Sequence, residues 1–238
     1  MDYVKRLEKL MTRLRAPEGC PWDRRQTHKS LKPYLLEETH EVLDAISRGN
    51  PADLREELGD LLLQVVFHSQ MAKEKGSFNF QAVAKTIGDK LIRRHPHVFL
   101  PSGASPEGAS PKGVSRKIKD ITQKWEELKR REKPERKSAL DGLPKSLPAL
   151  LRAQRMQEKV SKTDKPKSIR KSPLEDDLKA FGKLITHKNR GRQEKALGEI
   201  LFKLTRWAQS RGIHAEMALQ TAASRFEKEF RKSERRAT

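Results

Sequence analysis

Leu36-Glu37-Glu38-Thr39-His40-Glu41-Val42-Leu43-Asp44-Ala45-Ile46 runs into Ser47-Arg48-Gly49-Asn50-Pro51, and Glu57-Leu58-Gly59-Asp60-Leu61-Leu62-Leu63 then resumes the same rhythm. Apolar residues recur here at three and four positions, which is the helical period and not that of a strand. The spacing predicts a helix from about Ser30 to Ser47, with Leu35, Leu36, Val42, Leu43 and Ile46 on its apolar face. Gly-Asn-Pro closes it. A second helix follows over about Ala52 to Lys75, with Leu54, Leu58, Leu61, Leu62, Val65 and Val66 expected inside.

At about 100° per residue, Glu38 and Glu41 share a stripe with Tyr34 and Ala45, while Glu57 and Asp60 share one with Gln64. Antiparallel packing of the two helices would bring the four carboxylates together at the rim of the core. Close carboxylates repel one another and lose solvation, so a divalent cation is the economical way to hold them. An all-oxygen set suits hard Mg²⁺, or Mn²⁺ in its place. Zinc is disfavoured by one Cys and no paired His spacing. Glu37 and His40 form one Glu-x-x-His pair, but di-iron bundles need two, and the next helix has no matching His. The plain alternative is a pair of solvated helix faces.

Outward from this hairpin, Val4, Leu7, Leu10, Met11 and Leu14 predict a first helix from Asp2, ended by Ala16-Pro17-Glu18-Gly19, and a further helix spans about Phe80 to Arg94. Residues 101–113 are rich in Pro, Gly and Ser and are expected to be a mobile loop. Helical pattern returns over about Ser115 to Glu132, carrying Trp125. Beyond it the chain echoes itself: Ala196-Leu-Gly-Glu199-Ile-Leu-Phe202 repeats Glu57 to Leu63, and Leu174-Glu-Asp-Asp-Leu-Lys179 repeats Leu36 to Glu41. Lys179 and Ala196 stand where Glu41 and Glu57 do, so the second copy lacks two of the four acids. The expected organisation is all-α and tandem: a complete module over 1–132, a charged linker over 133–140, and a degenerate module over 141–238.

The 238 residues are 34% hydrophobic and 35% charged, a balance that supports folded cores with solvated margins. A formal charge of +20 favours phosphate-bearing partners, nucleotides or nucleic acid. The acidic island from Glu37 to Asp60 argues against a DNA-contacting face, yet a basic nucleic-acid-binding or regulatory protein remains the rival reading. The lone Cys20 cannot pair within the chain, the N-terminus carries no uninterrupted apolar segment, and no stretch approaches the roughly 18 apolar residues of a membrane span. A cytoplasmic, membrane-free setting is expected.

Taken in order, Cys20-Pro-Trp-Asp23, Gln26-Thr27-His28, Glu37-Glu38-x-x-Glu41, Glu57-Leu-Gly-Asp60 and Lys90-Leu-Ile-Arg-Arg-His-Pro-His97 resemble the MazG family, strongly over 1–132 and loosely beyond. The resemblance implies an all-α fold that dimerises to complete four-helix bundles, and Mg²⁺-dependent hydrolysis of nucleoside triphosphates to monophosphate and pyrophosphate. By matching position, Glu38, Glu41, Glu57 and Asp60 would hold the metal, and Glu37 with Glu38 would serve catalysis. Lys90, Arg93 and Arg94 would meet the phosphates, and Trp125 the base. The spacing of Lys90 and Arg94 at i, i+4 suits a grip on neighbouring phosphates, set against a solvated helix end whose cations match the helix dipole.

Overall fold

The computed structural model describes residues 2–99, 125, 128–129, 131–163, 179, 182 and 189–237. The stretch expected as a mobile loop, most of the helix expected after Ser115, and Leu174 to Leu178 lie outside the described residues. Among the described residues every regular element is a helix. The chain divides into two compact units, Met1–Leu128 and Lys129–Thr238.

In the first unit, α1 (Tyr3–Leu14) is capped by Asp2, whose carboxylate accepts from the amides of Val4 and Lys5 at 3.1 and 3.0 Å. The chain turns at Gly19, whose missing Cβ would otherwise sit 2.2 Å from the Leu14 carbonyl oxygen. It then forms the short α2 (Pro21–Arg25), and Pro21 at the first position favours this start. Helices α3 (Lys32–Arg48) and α4 (Pro51–Glu74) are joined by two residues and pack along each other. Gly49, at φ +72°, ends α3 in the left-handed conformation, and the Asn50 side chain accepts from the Ala52 amide at 3.0 Å to begin α4. Helix α5 (Phe80–Arg94), capped by Asn79, and the brief α6 (Pro96–Phe99) complete the unit.

The core forms where α1, Leu31 and the C-terminal half of α4 meet: Met11, Leu31, Val66, Phe67 and Met71, with Leu7, Leu63 and Phe80 against them. This differs from the expected apolar faces. Helix α3 buries Val42 and Ala45, whereas Leu36 and Ile46 stay 60% and 57% exposed, and Leu58, Leu62 and Val65 of α4 are also open. The physical reason is partner choice. Helix α1 covers the later turns of α4 and α3 packs along it, with Leu54 and Leu61 half-buried, but within one chain nothing described covers Leu58, Leu62 and Val65.

The second unit contains α7 (Ala149–Ser161), α8 (Arg190–Ser210) and α9 (Ala215–Ala237), all in mutual contact. Its interior is small and partly polar: Ala196, Ile200 and Ala208 are buried beside Gln154, Gln157 and Thr205. The two glutamines donate to the Ile213 and Phe202 carbonyls, each at 2.7 Å, so the buried amides tie α7 to the α8–α9 connection and to the middle of α8.

Candidate metal centre and its surroundings

The site follows from the α3–α4 hairpin. Glu38 and Glu41 are one turn apart on α3, Glu57 lies near the start of α4, and the short Gly49-Asn50 link sets the register that makes them face one another. One carboxylate oxygen from each of Glu38, Glu41 and Glu57 lies within 4.8 Å of the others, a spacing that a single cation can bridge. Glu38 and Glu57 are half-buried and Glu41 is exposed, so the group sits at the edge of the hairpin.

Asp60 stands outside that tight trio but acts on it electrostatically. Loss of solvation is the main reason the Glu38 carboxyl is pushed above its ordinary range, with the charges of Asp60 and Glu41 adding to it. Glu57 is raised too, first by loss of solvation and then by Glu41, Glu56 and Asp60. The nearby Gln64 side chain works the other way on Glu38. An all-carboxylate set in which lost solvation and the neighbouring charges raise Glu38 and Glu57 fits a hard divalent cation, which would relieve both causes. Glu37 and His40 are exposed and stand outside the group, as the helical stripe predicts.

The other expected residues form a second cluster. Lys90, Arg93 and Arg94 occupy the last turn and a half of α5, which packs on α4. The Arg94 guanidinium carbon lies 5.7 Å from the Trp125 ring centroid, and His95 meets the same ring edge-on at 4.9 Å. Trp125 and Arg94 are thus neighbours, despite their separation in sequence. Trp22 is half-exposed and meets Tyr34 edge-on at 5.7 Å, one turn of α3 before Glu38.

Two features escape sequence reading. His28 and His68 stack with centroids 5.0 Å apart and Nδ1 atoms 2.7 Å apart, a long-range pairing that no local spacing signals. Burial and the nearby His28 hold the His68 imidazole below its usual value. Gln64 was visible on the acidic stripe, but not its near-complete burial.

An acid-rich helical hairpin at the centre of an all-α unit is the class of protein that these observations define. A family model described as the MazG nucleotide pyrophosphohydrolase domain matches residues 26–99, which span α3, α4 and α5. A protein named nucleoside triphosphate pyrophosphohydrolase from Escherichia coli (strain K12) is 43% identical over 99% of this chain and 88% of its own length. Another, from Thermotoga maritima, named nucleoside triphosphate pyrophosphohydrolase/pyrophosphatase MazG, is 40% identical over 96% of this chain and 84% of its own. This chain belongs to the MazG family.

Proposed function

We propose that the protein hydrolyses nucleoside triphosphates to the monophosphate and pyrophosphate, with Glu38, Glu41, Glu57 and Asp60 holding Mg²⁺, for which Mn²⁺ can substitute. The observation that carries this reading is the convergence of Glu38, Glu41 and Glu57 within 4.8 Å on a hairpin inside the matched MazG segment. When bound, the cation would neutralise triphosphate charge and make a coordinated water more acidic.

The chain's own groups supply the rest. Water oxygen bonds to the α-phosphorus, the bridging oxygen to the β-phosphorus departs with pyrophosphate, and the water proton needs an acceptor. Glu37, exposed beside Glu38 on α3, is assigned that role. Glu38, one of the residues that would hold the cation, would help to orient the water. Lys90, Arg93 and Arg94 meet the negative charge that accumulates on the leaving pyrophosphate, the guanidinium groups in bidentate fashion. Trp125, with Arg94 against its ring, flanks the base.

Residues 1–132 form the catalytic module in this reading, 133–140 a linker, and 141–238 a module without turnover of its own. A homodimer is supported by the open apolar side of the hairpin, where Leu36, Ile46, Leu58 and Leu62 await a second copy to complete a four-helix bundle. No helix among the described residues is long and apolar enough to cross a membrane, and a cytoplasmic setting with free nucleotides suits the reading.

The test is a panel of NTPs and dNTPs with Mg²⁺, scoring pyrophosphate against orthophosphate. Pyrophosphate as first product and its loss in Glu38→Gln are expected; orthophosphate first would overturn the mechanism. The rival, nucleic-acid binding favoured by the +20 charge, predicts salt-sensitive binding indifferent to Glu38→Gln and no pyrophosphate.

A further inference from the structure

Gln64 lies one turn after Asp60 and two after Glu57 on α4, on the stripe that carries both acids. Its side chain is only 6% exposed, an unusual depth for an amide at the rim of a charged site. A glutamine amide offers two donors and one acceptor oxygen. The Gln64 side chain stands close enough to the Glu38 carboxyl to lower that group's proton affinity against the neighbouring acids, while its Oε1 has no hydrogen-bond partner among the described residues. A buried carbonyl left unpaired destabilises a fold, and Leu or Met would fill the same space without that penalty. Packing alone therefore gives no reason for an amide here.

The internal repeat adds an independent contrast. The position with the same offset from Glu199 that Gln64 has from Asp60 is Lys203, in the half where Ala196 replaces the counterpart of Glu57. The amide accompanies the complete set of acids, and a cation-bearing side chain accompanies the broken one.

We propose that Gln64 is a positioning residue of the carboxylate site: its amide nitrogen fixes Glu38 against repulsion from its neighbours, and its buried Oε1 accepts a hydrogen bond from a water carried by the divalent cation. This inference rests on the metal reading above. Steadied in this way, Glu38 would present a carboxylate oxygen to the cation in one orientation, and the Gln64 carbonyl would favour a cation that keeps its water. Outer partners of this kind govern ligand geometry, and their removal commonly weakens metal binding about ten- to a hundred-fold.

The experiment uses the full chain, with Mn²⁺ titration calorimetry, metal-free melting curves and steady-state kinetics on Gln64→Met, Gln64→Glu and Glu41→Gln. Gln64→Met removes the unpaired carbonyl, so its metal-free melting temperature should equal or exceed that of the wild type. Its Mn²⁺ affinity should nevertheless fall about ten-fold or more, with kcat lowered and KM for the triphosphate little changed. Gln64→Glu keeps the shape but turns a donor towards Glu38 into an acceptor. Its metal-free melting temperature should drop, and Mn²⁺ should raise it by more than it raises the wild type. Unchanged Mn²⁺ affinity in Gln64→Met, or an unchanged Mn²⁺-induced shift in Gln64→Glu, overturns the proposal. Glu41→Gln separates the two levels of argument. If it loses Mn²⁺ while Gln64→Met keeps it, only the role of the amide fails; if it binds Mn²⁺ as well as the wild type, the carboxylate reading itself fails.

Discussion

Arg15 is the side chain on which three segments of the first unit depend. Its guanidinium, 8% exposed, donates to both oxygens of Glu74 from Nε at 2.8 and 3.1 Å and from Nη2 at 2.7 Å, and also reaches the Asp23 carbonyl. It lies 5.5 Å from the Phe67 ring centroid. The end of α1, the short α2 and the end of α4 are thereby joined through one cation. Arg15→Met should destabilise the protein by about 3 kcal/mol in urea unfolding, the low end for breaking a buried pair because Glu74 keeps contact with water. Glu74 and Glu38 respond to pH in opposite senses. The hydrogen bond from Arg15 holds Glu74 below its ordinary value of 4.5, so its contribution is present above that pH and is lost as pH falls through the lowered folded value. Glu38 is raised from 4.5, chiefly by loss of solvation, so without metal it opposes folding at neutral pH and the penalty fades as pH falls toward 4.5. Glu38→Gln in EDTA should therefore melt higher than the wild type at pH 7.5, with the gap closing toward pH 4.5. A gap that widens on acidification would contradict the crowded-carboxylate geometry.

At the scale of elements, the link between α3 and α4 decides whether Glu38, Glu41 and Glu57 meet. Gly49 has φ +72°, a conformation that costs a residue with a Cβ about 1 to 2 kcal/mol. Gly49→Ala should lower the unfolding free energy by an amount in that range, read as a lower urea midpoint with the slope unchanged, since no packing is touched: nothing lies within 4 Å of the added Cβ. The helices themselves were legible because capping residues and periodicity agree. Asp2, Asn50 and Asn79 each cap a helix whose span was expected within a residue or two. The faces were less legible. Periodicity identifies residues that share a side of a helix but not the element that covers it, which is why Leu36, Ile46, Leu58 and Leu62 were expected inside and are exposed in the single chain. The acidic stripe was readable for the same reason, since it needs only the helical period. The His28–His68 stack and the depth of Gln64 were not, because both depend on contacts made after α4 has found its neighbours.

Across the whole molecule, two units share a sequence pattern but have put the equivalent positions to different uses. Glu57 belongs to the carboxylate group, half-buried, whereas Ala196 on α8 in the second unit is buried at 8% exposure. An alanine there strengthens a small interior and removes a ligand at once. Glu199 is left exposed. Lys179, in the place of Glu41, would bring a positive charge to any remaining anionic site and oppose a divalent cation. Restoring one acid cannot rebuild such a site, and removing those that remain should cost nothing in turnover. Asp176→Ala with Glu199→Ala in the full chain is therefore expected to leave kcat and KM for the preferred triphosphate unchanged, while Glu57→Ala with Asp60→Ala abolishes pyrophosphate release. Each double substitution makes a chain of formal charge +20 more positive by the same amount, so long-range attraction of the triphosphate changes equally in both. Any difference between the pairs then reports on the local site and not on steering. A large loss of turnover in the Asp176, Glu199 variant would overturn the assignment of catalysis to the first unit.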